Sequence, residues 1–414
     1  MKRDAPFLLR NTRVTAGEAA LNTLSLDKVC IPAASWVKGR GALDQGAAAR
    51  FVRSLGVWRR GTAPFALLFL PLLCLFPATL AAQEASAGFD LRATLSATAS
   101  ASGGGNDAGF RAVFYPTWKL SDHWAVSGAF QVNSQHYLPY DSVTPGDGVK
   151  GYLLLGTLNY SRIWRNASLL IRAGQMPTAF GSFPLRYDDA DNPLIRFPAQ
   201  YGYYYAPVST LGLAGAQIDA TRGRWDARLQ LANSSPANPR SVFARDQYGN
   251  QAGGAGFTIR QGFRIGVSGY RGPWLDRQYR YFFPGEANPN ELPAHAVGLD
   301  VEWARGHWNL QGELQKFVLP YKAIPVFHEQ TGYVEVRRVL HPRWYIAARG
   351  GYTSPSVGGN SRSLEATAGF RPGNSQLIKF DYEIERNAQG SGSLERTFAV
   401  EVVQQIHPFS LAWK

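Results

Sequence analysis

This sequence predicts an all-β fold, a transmembrane antiparallel β-barrel of about 16 strands, on three observations. The first is a side-chain period of two from residue 89 onward. Phe263, Ile265 and Val267 alternate with Arg264, Gly266 and Ser268, and Val297, Leu299 and Val301 alternate with Gly298, Asp300 and Glu302. The second is that tight turns and long connectors alternate between these segments. The third is the position of tryptophan: Trp118, Trp124, Trp164, Trp225, Trp303, Trp308 and Trp344 all fall at or beside short turns. One greasy and one polar face per strand suit a wall between lipid and water. Lipid offers no hydrogen-bond partner, so a sheet can cross it only when closed.

The segments follow in order. Strands are expected at 89–101, 110–120, 124–134, 150–163, 167–176, 210–221, 225–233 and 252–260. The series continues with 263–271, 295–303, 307–317, 331–340, 344–352, 362–371, 376–386 and 394–406. Short turns fall at 121–123, around 165–166, and at 222–224, 261–262, 304–306, 341–343 and 372–375. The longer stretches are 102–109, 135–149, 177–209, 234–251, 272–294, 318–330, 353–361 and 387–393. Short turns on one side and long loops on the other are the asymmetry of outer-membrane barrels. A soluble sandwich has no reason to sort its turns this way. Tryptophans at the short-turn end suit a bilayer interface, which accommodates both the ring and its N–H.

Bulk composition agrees with a folded chain: 45% of the 414 residues are hydrophobic and 13% aromatic. The only cysteines, Cys30 and Cys74, precede the barrel, which excludes a disulfide scaffold or a cysteine metal site within it. Of the net charge of +13, a surplus of seven lies in residues 1–82, and the rest is spread thinly. No basic stripe with interleaved aromatics appears, so nucleic acid is not an expected partner.

Residues 1–82 read as an address. Arg59-Arg60 precedes an apolar run from Phe65 to Phe76, followed by Pro77-Ala-Thr-Leu-Ala-Ala82. That is the order of a secretory signal, and the run is too short for a membrane helix. The expected division is 53–82 as signal peptide and 83–414 as barrel, with cleavage after Ala81 or Ala82. Residues 1–52 have neither helical nor strand period, and read as an unstructured leader or as a start assigned too far upstream.

Sixteen strands enclose a lumen wide enough for water. Parity directs ten basic residues inward: Arg111, Lys119, Arg172, Arg228, Arg260, Arg264, Arg337, Arg349, Arg371 and Lys379. Nine acidic residues join them: Asp226, Asp300, Glu302, Glu313, Glu335, Glu365, Asp381, Glu383 and Glu401. Unpaired ionised groups are excluded from a dry core, so these are expected to line water. The candidate pore wall is Arg172, Arg228, Arg264, Arg337, Arg349, Glu302 and Glu335. A wall of both signs favours small hydrophilic solutes over one class of ion.

The third loop, 177–209, is the longest and carries apolar and aromatic residues ill suited to open water. Folding inward would bury it and place Arg186, Asp188, Asp189, Asp191 and Arg196 at a constriction. An outward cap is the alternative. The segment entering it, Arg172-Ala-Gly-Gln-Met-Pro-Thr-Ala-Phe-Gly181, resembles the approach to the third loop in the phosphate-selective porins. In that family a Gly-Gln pair precedes a Phe-Gly by a few residues. The resemblance implies an outer-membrane channel that assembles as a homotrimer, with a basic lumen. This chain departs in its nearly balanced lumen charge, and in ending on Lys414 after Trp413 rather than on an aromatic residue.

No Gly-rich phosphate loop, His-Glu-x-x-His or Gly-x-Ser-x-Gly turn is present, so no catalytic residues are expected. Asp188-Asp189-Ala-Asp191 lacks regular ligand spacing, and neither metal nor cofactor is implied. The partners implied are outer-membrane lipid, the barrel-assembly machinery and small hydrophilic solutes or ions. A structural, adhesive or enzymatic barrel acting through its outer loops is the alternative function.

Overall fold

In a computed structural model of the protein, the described residues are 87–103, 105–134, 136–138, 148–183, 188–198, 201, 213–233, 249–273, 292–321, 325–357, 359–386 and 394–413. They form sixteen strands: β1 (Ala87–Ser102), β2 (Gly105–Lys119), β3 (Trp124–Ser134), β4 (Val149–Trp164), β5 (Ala167–Met176), β6 (Leu213–Arg222), β7 (Trp225–Ala232) and β8 (Asn250–Arg260). The second half comprises β9 (Phe263–Gly272), β10 (Ala294–Arg305), β11 (Trp308–Leu319), β12 (Phe327–His341), β13 (Trp344–Pro355), β14 (Ser361–Phe370), β15 (Gln376–Arg386) and β16 (Leu394–Trp413). Each strand pairs antiparallel with the next in the chain. β1 pairs with β16, from Ala87 opposite Trp413 to Ser102 opposite Thr397, so the barrel is closed.

The short turns close by backbone chemistry. Gly223, Gly262 and Gly306 hold φ of 60°, 75° and 58° in two-residue connections, the left-handed geometry that hairpins need and other residues resist. Alternation then sorts side chains by solvent. Val297, Leu299, Leu314, Val334, Ile346 and Leu364 are exposed on the outside, while Gln131, Asp300, Glu313, Glu335, Glu365 and Glu401 are buried on the inside. A soluble protein would not leave a ring of aliphatic side chains open to water; a bilayer makes their exposure favourable. Near the short turns, Trp124 meets Tyr160, Trp225 meets Phe257 and Trp344 stacks on Phe370, with ring centroids 5.1, 4.6 and 4.4 Å apart.

Four local expectations change. The first long stretch, 102–109, is mostly strand: β1 and β2 stay paired up to Ser102 opposite Gly105. β12 starts at Phe327 and β16 continues to Trp413, because their partners are long enough to keep supplying hydrogen bonds. A register shift between Thr258 and Arg260 sets Arg260 opposite Phe263, whose other partner is the outward Trp303. That bulge reverses the parity of Arg260, which sequence counting had placed inside. The leader, the signal segment and Arg186 lie outside the described residues.

Candidate functional site

The third loop leaves β5 at Met176 and enters the barrel, because the inner wall offers partners for its backbone. Gln230 on β7 accepts from Ala179 N at 3.0 Å and donates to Pro177 O at 2.7 Å. Ser268 on β9 accepts from Gly181 N at 3.2 Å, and Arg228 Nη2 donates to Gly181 O at 2.5 Å. Glu313 on β11 gathers the most contacts. Its Oε1 accepts from the backbone N–H groups of Ser182 at 2.5 Å and Phe183 at 3.0 Å, and from the Ser182 hydroxyl. Its Oε2 accepts from the Tyr201 hydroxyl at 2.5 Å and from Gln315 Nε2 at 3.0 Å. One carboxylate thus holds two separated parts of the loop.

Gly181 is required where it stands. Its φ is 78°, and a Cβ there would come within 1.8 Å of the Tyr201 hydroxyl oxygen. Apolar contacts support the same segment. Phe180 packs on Phe317 in a cluster with Tyr270, Ala294 and Ala296, and Phe183 meets Tyr201 and Tyr333.

The second half of the loop is fixed to the far arc of the wall. Asp189 Oδ1 accepts from Arg111 Nη1 at 2.8 Å, and its Oδ2 accepts from Ser96 Oγ at 2.6 Å. The Tyr137 hydroxyl, from the second loop, lies 2.8 Å from Asp189 and 2.7 Å from Glu401. Burial, with these two carboxylates beside it, pushes the Tyr137 phenol well above its ordinary range. Lys379 Nζ bonds Glu401 at 2.7 Å and caps the carbonyls of Asp189 and Leu194 at 2.6 and 3.0 Å. Arg196 Nε pairs with Glu383 at 2.6 Å, while its backbone N–H donates to Glu365 at 3.0 Å and its carbonyl accepts from Arg349 at 2.6 Å. Leu194 and Ala190 close over Tyr345, Ala347, Leu377 and Val403.

These contacts run from β7 through β16 to β2. The charged wall outside these contacts carries Arg172–Asp219, 2.6 Å apart and 23% and 27% exposed, and Arg264 between the partly exposed Asp226 (2.6 Å) and the buried Asp300 (2.5 Å).

The sequence-derived site residues therefore divide. Arg172, Arg264, Arg337 and Glu302 are all half-buried on the inner wall, the first two paired with the wall aspartates Asp219, Asp226 and Asp300. Arg349 and Glu335 are instead fully buried with Glu365 beneath the loop, and Arg228 binds a loop carbonyl. The expectation that every inward charge lines water fails here, because the loop supplies the pairing that a dry environment demands. Asp188, Asp189 and Arg196 do not face one another across a gap. Asp188 accepts from Tyr115, and the other two pair with wall residues. Asp191 remains exposed, and burial of its neighbourhood with Asp188 nearby raises its carboxyl above the ordinary range, against Arg371, Lys379 and Arg337.

Sequence reasoning missed Asp219, although Asp219 stands inward opposite Arg228 in a strand whose parity was legible. It also missed Tyr115 and Ser96, whose inward parity was legible while their loop partners were not, and Tyr137, for which no local signal exists.

Among solved structures, the chain is similar to bacterial barrels over most of their length, among them the following. An anion-selective porin from Comamonas acidovorans gives a TM-score of 0.53 at 11% identity, covering 78% of this chain and 100% of the other. OmpF of Salmonella typhi, in complex with daunomycin, gives 0.53 at 10% identity, over 77% and 97%. OmpT, an outer membrane protein of Vibrio cholerae in trimer form, gives 0.52 at 10% identity, over 77% and 100%. At such identity the likeness establishes the fold alone. No protein-family model and no curated protein matches the chain.

Proposed function

We propose that the chain is an outer-membrane porin, a water-filled channel for passive diffusion of small hydrophilic solutes or ions across a bacterial outer membrane. It assembles as a homotrimer after removal of the signal segment 53–82. The observation that carries this reading is the third loop inside the barrel. Its described part is fixed to the arc from β7 to β2 and leaves the charged wall around Arg172, Asp219 and Arg264 beside the passage. A loop so placed narrows a lumen without filling it.

Transport follows from electrostatics at close quarters. Where the lumen narrows, charges interact several-fold more strongly than in bulk water, so a few exposed groups set ion preference. Asp191, facing Arg337 and Arg371, is the loop group in that position. Paired charges of both signs along the remaining wall favour small zwitterionic or hydrophilic solutes over a single ion class. This sets the chain apart from the basic lumen of the phosphate-selective porins it resembles.

Single-channel recording in planar bilayers tests the proposal. Deleting 184–198 should raise conductance several-fold. A barrel that passes no current, or one whose conductance ignores the deletion, would remove respectively the channel and the loop's part in it.

A further inference from the structure

The outer surface of the barrel carries charge of one sign. Every Asp and Glu within a strand, from Asp90 on β1 to Glu401 on β16, has inward register. Basic residues do point outward, and three of them cluster at the loop end of β14, β15 and β16. Arg362 stands directly opposite Arg386, and Arg396 lies opposite Ile384, two residues from Arg386 on the same face. All three are exposed, and among the described residues no carboxylate lies within ion-pair distance of any of them. Arg362 also lies 5.8 Å over the ring of Tyr352.

Like charges directly opposite each other on a sheet repel, and no described residue on this face neutralises them. An anion between the guanidiniums would relieve the repulsion. Arginine forks suit phosphate, which they bind through paired N–H donors. The surface one step toward the middle of the barrel is apolar: Leu364, Tyr382 and Phe398 are exposed below the three guanidiniums. Cations above an apolar ledge match a lipid whose headgroup is anionic and whose chains run down the wall.

We infer that Arg362, Arg386 and Arg396 form a binding site for a phosphorylated glycolipid of the outer leaflet. The inference rests on the proposed seating of the barrel in an outer membrane with its long loops outside. Three clustered cations fit a headgroup with more than one phosphate better than the single phosphate of a phospholipid.

Native mass spectrometry of the detergent-extracted protein, titrated with bis-phosphorylated lipid A, tests this. The wild type should hold the lipid, and the triple variant R362Q/R386Q/R396Q should bind it at least tenfold more weakly. Replacing the same three residues by Lys, which keeps the charge but loses the paired donors, should weaken binding less than the Gln variant does. The triple variant R222Q/R305Q/R338Q, at the short-turn end, should bind like the wild type. Equal binding by the first triple variant, equal binding of lipid A stripped of its phosphates, or equally tight binding of phosphatidylglycerol would each overturn the assignment. The channel reading fails separately: the three arginines lie outside the lumen, so conductance reports on that reading and also checks that each variant is folded.

Discussion

Glu313→Ala is the substitution that most directly probes how the loop is held. The carboxylate accepts two loop N–H groups and two hydroxyls, from Ser182 and Tyr201. A hydrogen bond to a charged group contributes about 1.5–3 kcal/mol, so simple addition at the lower figure gives about 6 kcal/mol. Neighbouring bonds are not additive, and water can enter from the adjoining lumen to satisfy part of the freed donors. A net loss of about 3 kcal/mol is reasonable, which at 1.4 kcal/mol per decade shifts the loop's free-to-docked ratio about 100-fold. The contacts of Asp189 and Arg196 on the far arc remain, so residues 177–183 and Tyr201 should loosen while 188–198 stays attached. In planar-bilayer recordings the variant should show more open-channel noise and a higher mean conductance, short of the value reached by deleting 184–198. Glu313→Gln, which retains one acceptor oxygen, should fall between. An E313A channel indistinguishable from wild type in conductance and noise, with the loop deletion still effective, would refute the view that this carboxylate latches the loop.

Arg introduced at the outward Ile265, Leu299 or Ile346 should cost about 2–4 kcal/mol near the bilayer midplane and reduce the yield of assembled barrel. Arg at the inward Ser268 or Ala347 should assemble but displace the loop and raise conductance, because Ser268 bonds Gly181 and Ala347 packs under Leu194. Thr221→Arg, inward at the short-turn mouth opposite Asp226, should do neither. Acidification should move the reversal potential in a salt gradient toward anions. The raised Asp191 carboxyl takes up its proton at a higher pH than an ordinary carboxylate, while Arg337 and Arg371 keep their charge. That component should vanish in D191N, and its persistence there would assign the effect to another group. Protein extracted from membranes should begin near Gln83 or Glu84 on N-terminal sequencing; intact material from Met1 would reject the signal segment.

Period-two alternation and the sorting of turn lengths made the barrel, its strand number and its two faces legible in the sequence. Both are local: side chains of a strand alternate whatever it pairs with, and lipid outside with polar groups inside forces Leu299 and Asp300 to opposite sides. The Trp positions followed from the same logic. Local pattern could not show where the chain crosses its own lumen. Arg349, Glu335 and Glu365 look like any inward charges until Arg196 arrives from about 150 residues away to supply a backbone donor and acceptor. Asp189 meets Arg111, Ser96 and Tyr137 only because the closed barrel brings β1, β2 and the second loop to one place. The bulge that turns Arg260 outward likewise depends on how β8 and β9 pair. Parity alone therefore separated inside from outside. Which inward charges meet water and which are locked in pairs depended on contacts between distant segments, because burial and ion pairing are properties of the assembled wall and loop together.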